Sequence, residues 1–253
     1  MVACATNPMT GRTSLNLVSN SDLFVASFQQ YGKMLSESKV VTGTRDSKRV
    51  IEIGNRIQRA AENYYKSIGQ EQALAEYKWE YNLIADDHIN AFCMPGGKVA
   101  VYTGIMPVAA NDNGLAVVMG HEIAHALANH SASRASQQII SQLGMQVGGT
   151  VLSGSQWGDV FGALYPIGSE LTTLSYGRKD ETEADVMGLK LMAMAGYDPR
   201  EAPVFWGRMQ ANTKNSGTPE FLSTHPSGET RIQTLNQNMA EAVKIYETYK
   251  AKQ

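Results

Sequence analysis

Cysteine is almost absent from this 253-residue chain: Cys4 and Cys93 stand alone, so at most one bridge can form and neither belongs to a pair with metal-ligand spacing. A disulfide scaffold and a cysteine-based zinc finger are excluded. Excess charge is absent too, since 22 Lys+Arg against 24 Asp+Glu leave a formal net charge of -2 and no basic field to hold a phosphate backbone. No nucleic acid is expected as a main partner, and nothing points to a nucleotide. Long apolar runs are missing, because no stretch reaches the roughly 18 residues that would span a bilayer. There is no internal repeat and no low-complexity tract. What is present, 43% hydrophobic and 18% charged residues, suffices for a substantial core and excludes disorder, collagen and coiled coil.

The start of the chain, Met1-Val2-Ala3-Cys4 followed by the polar Ala5-Thr6-Asn7-Pro8, resembles the end of a bacterial lipoprotein signal behind an added start methionine. That resemblance implies an acylated Cys4, a lipid anchor in a membrane and a periplasm-facing place in a bacterial cell envelope. Residues 1–21, rich in Thr, Ser, Asn and Gly, read as a tether or an arm lying over the domain, and 22–253 as the domain itself.

From Ser47 the apolar residues Val50, Ile53, Ile57, Ala60, Ala61 and Tyr64 recur at three and four, the stripe of a surface helix that stops at Gly69. Residues 79–84 and 98–103 read as strands with Pro95-Gly96-Gly97 as a turn between them, which predicts a small antiparallel sheet over 79–103. Helical patterns then cover 115–129, 133–147, 180–195, 199–212 and 228–249. The expected class is α+β, mainly α. Gly148 to Gly158 reads as a flexible loop that could border a cleft, and Met187, Met192 and Met194 read as core packing.

The strongest chemical signal is His121-Glu122-Ile123-Ala124-His125 within one of these helices. Residues four apart lie about 40° apart around a helix, so both imidazoles share a face and can bind one metal ion. Glu122 lies beside the pair, placed to act on water there as a general base. With 5 His and 15 Glu in the chain, such a pentapeptide arises by chance in about six of a thousand sequences of this composition. Catalytic zinc generally takes three protein ligands, and Glu181-Thr182-Glu183-Ala184-Asp185 supplies the downstream candidates.

His-Glu-x-x-His followed by Glu-x-x-Ala-Asp, with Tyr176-Gly177-Arg178 just before, resembles the M48 (Ste24-like) family of glutamate-type zinc metallopeptidases; the family's usual Tyr-Ser-Arg is Tyr-Gly-Arg here. The resemblance implies a zincin-type metallopeptidase domain, one Zn2+ per chain, polypeptide substrates, and Glu181 as the third ligand. Asp185, on the same helix face as Glu181, would accept the N–H of His121. Glu183 points about 200° away and reads as a solvated surface carboxylate. His130 lies about 140° round the helix from His125 and reads as a helix-ending residue rather than a ligand. Asn90-Ala91-Phe92 resembles the family's edge strand beside the cleft, able to hold an extended peptide by strand addition. In Thr224-His225-Pro226, His225 is the candidate for stabilising the oxyanion, while Arg231 can pair with a carboxylate. The function expected is endopeptidase cleavage of unfolded or misassembled envelope proteins; the alternative is a periplasmic chaperone or assembly factor with a latent zinc site. Ligand type points to zinc, although affinity order alone does not select it over other divalent ions.

Overall fold

A computed structural model gives the fold, with residues 4–145, 176–216, 219–225 and 229–251 described. Strands β1 (Cys4–Thr6) and β2 (Thr13–Leu15) pair antiparallel, so the expected arm is a hairpin, with Cys4 exposed on it. Helix α1 (Asn20–Glu37) follows, its start capped by the Ser19 hydroxyl accepting from the Asp22 N–H. This helix was not anticipated, because its buried stripe Leu23, Phe24, Tyr31 and Met34 is interrupted by Ser27. The Ser27 hydroxyl is satisfied by donating to the Pro95 carbonyl at 2.7 Å. After the short β3 (Val40–Val41), α2 (Arg45–Ser67) carries the predicted stripe inward and ends before Gly69, whose φ of 68° suits a residue without Cβ.

Strands β4 (Glu80–Ile84), β5 (Ala91–Met94) and β6 (Lys98–Tyr102) alternate strictly. Tyr81, Leu83, Ala91, Cys93, Val99 and Val101 face the main core, which contains α2; Ile84, Phe92, Met94, Ala100 and Tyr102 face a second core that includes Leu23, Tyr31 and Met34 of α1. The predicted turn is there, with Gly96 and Gly97 both at positive φ. The sheet is not wholly antiparallel, however. Its order is β3-β4-β6-β5, and β4 runs parallel to β6. The cause is the connection 85–90: the Gly104 N–H and the Thr103 hydroxyl both donate to the Asp86 carbonyl, tying that connection to the end of β6. Strand β6 therefore docks beside β4, and β5 is left at the edge.

Past α3 (Met106–Ala109), the Asn111 side chain accepts from the Gly114 N–H and starts α4 (Asp112–Leu127), which is buried from Gly114 to its end. Such a helix has no solvent face. Asn129, in the left-handed region at φ 54°, breaks it, so His130 begins α5 (His130–Met145) rather than ending α4. Helix α6 (Arg178–Met194) packs along α4, and α7 (Glu201–Ser216), α8 (Glu220–Thr224) and α9 (Glu229–Lys250) complete the helical side. The mainly helical α+β class stands. The predicted loop 148–158 lies outside the described residues. Among the described residues, no helix is long and apolar enough to cross a membrane.

Helices α4 and α6 meet backbone to backbone. A Cβ on Gly188 would lie 2.8 Å from the His121 nitrogen, and one on Gly120 would lie 3.0 Å from the Gly188 carbonyl oxygen. Gly188→Ala should therefore overpack the crossing and cost about 1–3 kcal/mol. Urea unfolding of the metal-free protein checks this, and a midpoint equal to the parent's would contradict it.

Candidate active site

One turn of α4 puts His121 and His125 side by side, their Nε2 atoms 3.0 Å apart. The first turn of α6 brings Glu181 against both, with Oε1 at 3.3 Å from His125 Nε2 and Oε2 at 3.6 Å from His121 Nε2. From the end of α8, His225 completes the group, its Nδ1 2.9 Å from Glu181 Oε1. One ligand atom from each of these four buried residues lies within 4.8 Å of the others. Two imidazole nitrogens facing each other at 3.0 Å, with a carboxylate oxygen and a third imidazole beside them, make a donor set of the kind that holds a divalent ion. A borderline-soft ion that accepts nitrogen and carboxylate donors, such as zinc, fits this set.

The surroundings balance charge among buried side chains. Asp185 Oδ1 lies 3.1 Å from His121 Nδ1, on the side of the ring away from the cluster. Arg231 spans two carboxylates, with Nε 2.7 Å from Asp185 Oδ2 and Nη1 2.8 Å from Glu181 Oε2, while its guanidinium lies 3.5 Å from the centre of the Trp206 ring. Burial works against ionising Glu181, but His225, Arg231 and its imidazole partners hold its carboxyl well below the usual range. Burial pushes the His125 imidazole well below its ordinary value, which keeps it neutral as a ligand must be. Tyr176 stacks on His125 with ring centres 3.8 Å apart.

Glu122 sits beside this group, 2% exposed, and accepts the Cys93 backbone N–H of β5. Its Oε1 has no hydrogen bond among the described residues; His225 Nε2 is 3.4 Å away. Burial, opposed by His225 and Arg231 and aided by Glu181, raises the Glu122 pKa to about 7. A carboxylate with a spare oxygen beside a cluster of metal donors can take a proton from water and give it back.

Geometry thus unites Glu122, His121, His125, Glu181 and Asp185, and it brings His225 into the donor cluster itself rather than to its rim. Asn90 precedes the edge strand β5 and Ala91 and Phe92 open it; β5 lies against α4, with Ala91 facing the main core and Phe92 the second one. Two expectations are corrected. Glu183 is not solvated: it is buried and bonded to Asn7, Thr10, Arg12 and His130. Burial opposes its ionisation, yet the hydrogen bonds from His130, Thr10 and Arg12 carry its pKa down to about 2. His130 does not cap a helix; it is fully buried against His125. Helix-wheel angles missed both because they take no account of what the N-terminal hairpin and the next helix bring to that face. Trp206 left no signal in spacing, as it meets the site only through tertiary packing, and Tyr176 stood out only as part of the flanking Tyr-Gly-Arg.

Arg231→Leu should leave the Asp185 and Glu181 carboxylates buried without their cation, a loss of about 3–5 kcal/mol. Denaturant unfolding of the metal-free protein reads it; a change below about 1 kcal/mol would contradict the pairing.

Residues 53–239 match Peptidase family M48. The mitochondrial metalloendopeptidase OMA1 of Schizosaccharomyces pombe is 40% identical over 67% of this chain and 49% of its own length. The mitochondrial metalloendopeptidase OMA1 of Bos taurus is 30% identical over 96% of this chain and 47% of its own. The β-barrel assembly-enhancing protease of Escherichia coli is 31% identical over 61% of this chain and 33% of its own. The chain spans about half the length of the OMA1 relatives it matches. These similarities overturn the place expected from the N-terminal cysteine: the matches that cover more of this chain are mitochondrial proteins by name, and the bacterial one covers less, so a bacterial-envelope, periplasm-facing location is not supported.

Proposed function

The chain belongs to peptidase family M48, and on that premise we propose that it is a zinc-dependent endopeptidase that hydrolyses peptide bonds in extended segments of unfolded or misassembled proteins. The observation that carries this reading is the buried convergence of His121, His125 and Glu181 with the partly unpartnered Glu122 carboxylate beside them. His121, His125 and Glu181 would hold the ion. When bound, zinc supplies Lewis acidity toward the scissile carbonyl and the attacking water.

The chain's own residues do the rest. Glu122 takes a proton from the attacking water on Oε1 and delivers it to the leaving amine, so that the proton lost by water ends on the new amino terminus. Asp185, whose Oδ1 lies 3.1 Å from His121 Nδ1, would accept its proton and so turn the Nε2 lone pair toward the ion. Arg231 pairs with both Glu181 and Asp185 and holds them in place. Strand β5, at the sheet edge and joined to Glu122 through the Cys93 N–H, is the surface along which an extended substrate would lie, by way of residues 90–92. His225, within reach of both Glu122 and Glu181, would hold the developing oxyanion once it swings aside from Glu181.

A second reading rests on the same histidine. Since His225 is among the four converging donors, it could take the position that catalysis needs open, which would suit an assembly factor that holds unfolded chains and cleaves seldom. Incubating the protein with unfolded casein, with and without a chelator, separates the two: chelator-sensitive fragments support the endopeptidase, and casein kept soluble but intact supports the assembly factor. For the endopeptidase, Glu122→Gln should retain zinc and lose kcat by roughly 100-fold or more. Turnover close to the parent's in that variant would show that the base lies elsewhere.

A further inference from the structure

The two histidines on α4 are supported differently. His121 meets a carboxylate directly, through Asp185. His125 Nδ1 instead meets another imidazole, His130 Nδ1, at 2.8 Å, and His130 Nε2 lies 3.2 Å from Glu183 Oε2. Glu183 is then gripped by the N-terminal hairpin. Asn7 Nδ2 donates to its Oε1 at 2.8 Å, the Thr10 hydroxyl donates to the same oxygen, and Arg12 Nη1 donates to Oε2 at 2.6 Å. Arg12 Nη2 also reaches Asp180 Oδ1 at 2.6 Å, on the turn of α6 that carries Glu181.

Hydrogen positions along this chain follow from one requirement. A ligating His125 must offer a bare Nε2, so its proton sits on Nδ1 and points at His130. His130 Nδ1 must therefore accept, which places its proton on Nε2, directed at the Glu183 carboxylate. The opposite order, with His130 Nε2 accepting from Arg12 Nη1 at 3.4 Å, would put the proton of His125 on Nε2 and spoil it as a ligand. Only the first arrangement satisfies every group, and it ends on an anion whose hydrogen-bond donors come from residues 7–12 as well as from His130. The hairpin itself is built for the grip: the Asn7 side-chain oxygen accepts the Met9 N–H, and the Gly11 N–H donates to the Asn7 carbonyl, which bends residues 7–12 so that three side chains reach one carboxylate.

We propose that His130 and Glu183 are positioning residues for the metal ligand His125, and that residues 7–12 are part of the metal centre because they hold Glu183 in place. The inference rests on the metal site proposed above. The family match begins at residue 53, so the hairpin contribution belongs to a segment outside the matched region. Carboxylates that orient ligating histidines typically change metal affinity roughly 10- to 100-fold when altered.

The test uses the full chain stripped of metal by a chelator, with zinc affinity measured by competition against a chromophoric chelator and urea unfolding followed in parallel without metal. Glu183→Gln should lower zinc affinity roughly 10- to 100-fold, and its cobalt-substituted form should show visible bands shifted from the parent's. Arg12→Ala, on a partly exposed side chain, should lower affinity in the same direction by a smaller factor, with Arg12→Lys restoring part of it. Affinities and cobalt bands equal to the parent's in Glu183→Gln and Arg12→Ala would overturn the inference. So would an affinity loss no larger than the fraction unfolded without metal, since that marks a merely structural role. A parent that binds no zinc would overturn the metal site itself, whereas a parent and variants that bind it alike would sink only the relay.

Discussion

The site depends on how closely α4 can approach α6. Side chains normally keep packed helices about 8–10 Å apart. At Gly120 and Gly188 there are none, and a Cβ on Gly188 would press on the His121 backbone. Because Gly120 precedes His121 directly and Gly188 lies two turns after Glu181, this contact sets how far the two imidazoles stand from the carboxylate. Everything that follows, from the donor cluster to the Asp185 and Arg231 pairing, is measured from that crossing.

Burying so many ionisable groups together demands compensation. Glu122, Glu181 and Asp185 sit buried together with Arg231, His121, His125 and His225 as their partners. Arg231 neutralises two of the acids and leaves Glu122 with the weakest pairing, the distribution a general base needs, since a carboxylate locked in a strong ion pair could not exchange a proton. Glu183 illustrates the converse. Its partners include a guanidinium and a hydroxyl from the N-terminal hairpin, so it stays ionised and acts only through what it holds.

Much of this was legible in the sequence, for physical reasons that can be stated. Residues four apart on a helix share a face, so the two histidines of α4, and Glu181 with Asp185 on α6, could be read directly. The stripe of α2 and its stop at Gly69 were equally plain. Failures share a cause, which is that they involve partners distant in the chain. Glu183 read as a surface residue and His130 as a helix end because a helical wheel does not know that residues 7–12 fold back onto α6. The sheet read as antiparallel because the turn at Gly96 and Gly97 is visible locally, while the tie between Asp86 and Gly104 that sends β6 next to β4 is not. Helix α1 hid behind a buried serine. The N-terminal cysteine motif misled on location, a local pattern with nothing in the rest of the chain to support it.

On the reading proposed above, His121, His125 and Glu181 hold a metal ion that hydrolysis by this chain requires. Elemental analysis of the purified parent beside a Glu181→Ala variant, with casein cleavage assayed on both, tests it most directly. About one zinc per chain with cleavage in the parent, and loss of both in the variant, is the result expected for a three-ligand catalytic site. Zinc and cleavage undiminished in Glu181→Ala would contradict it.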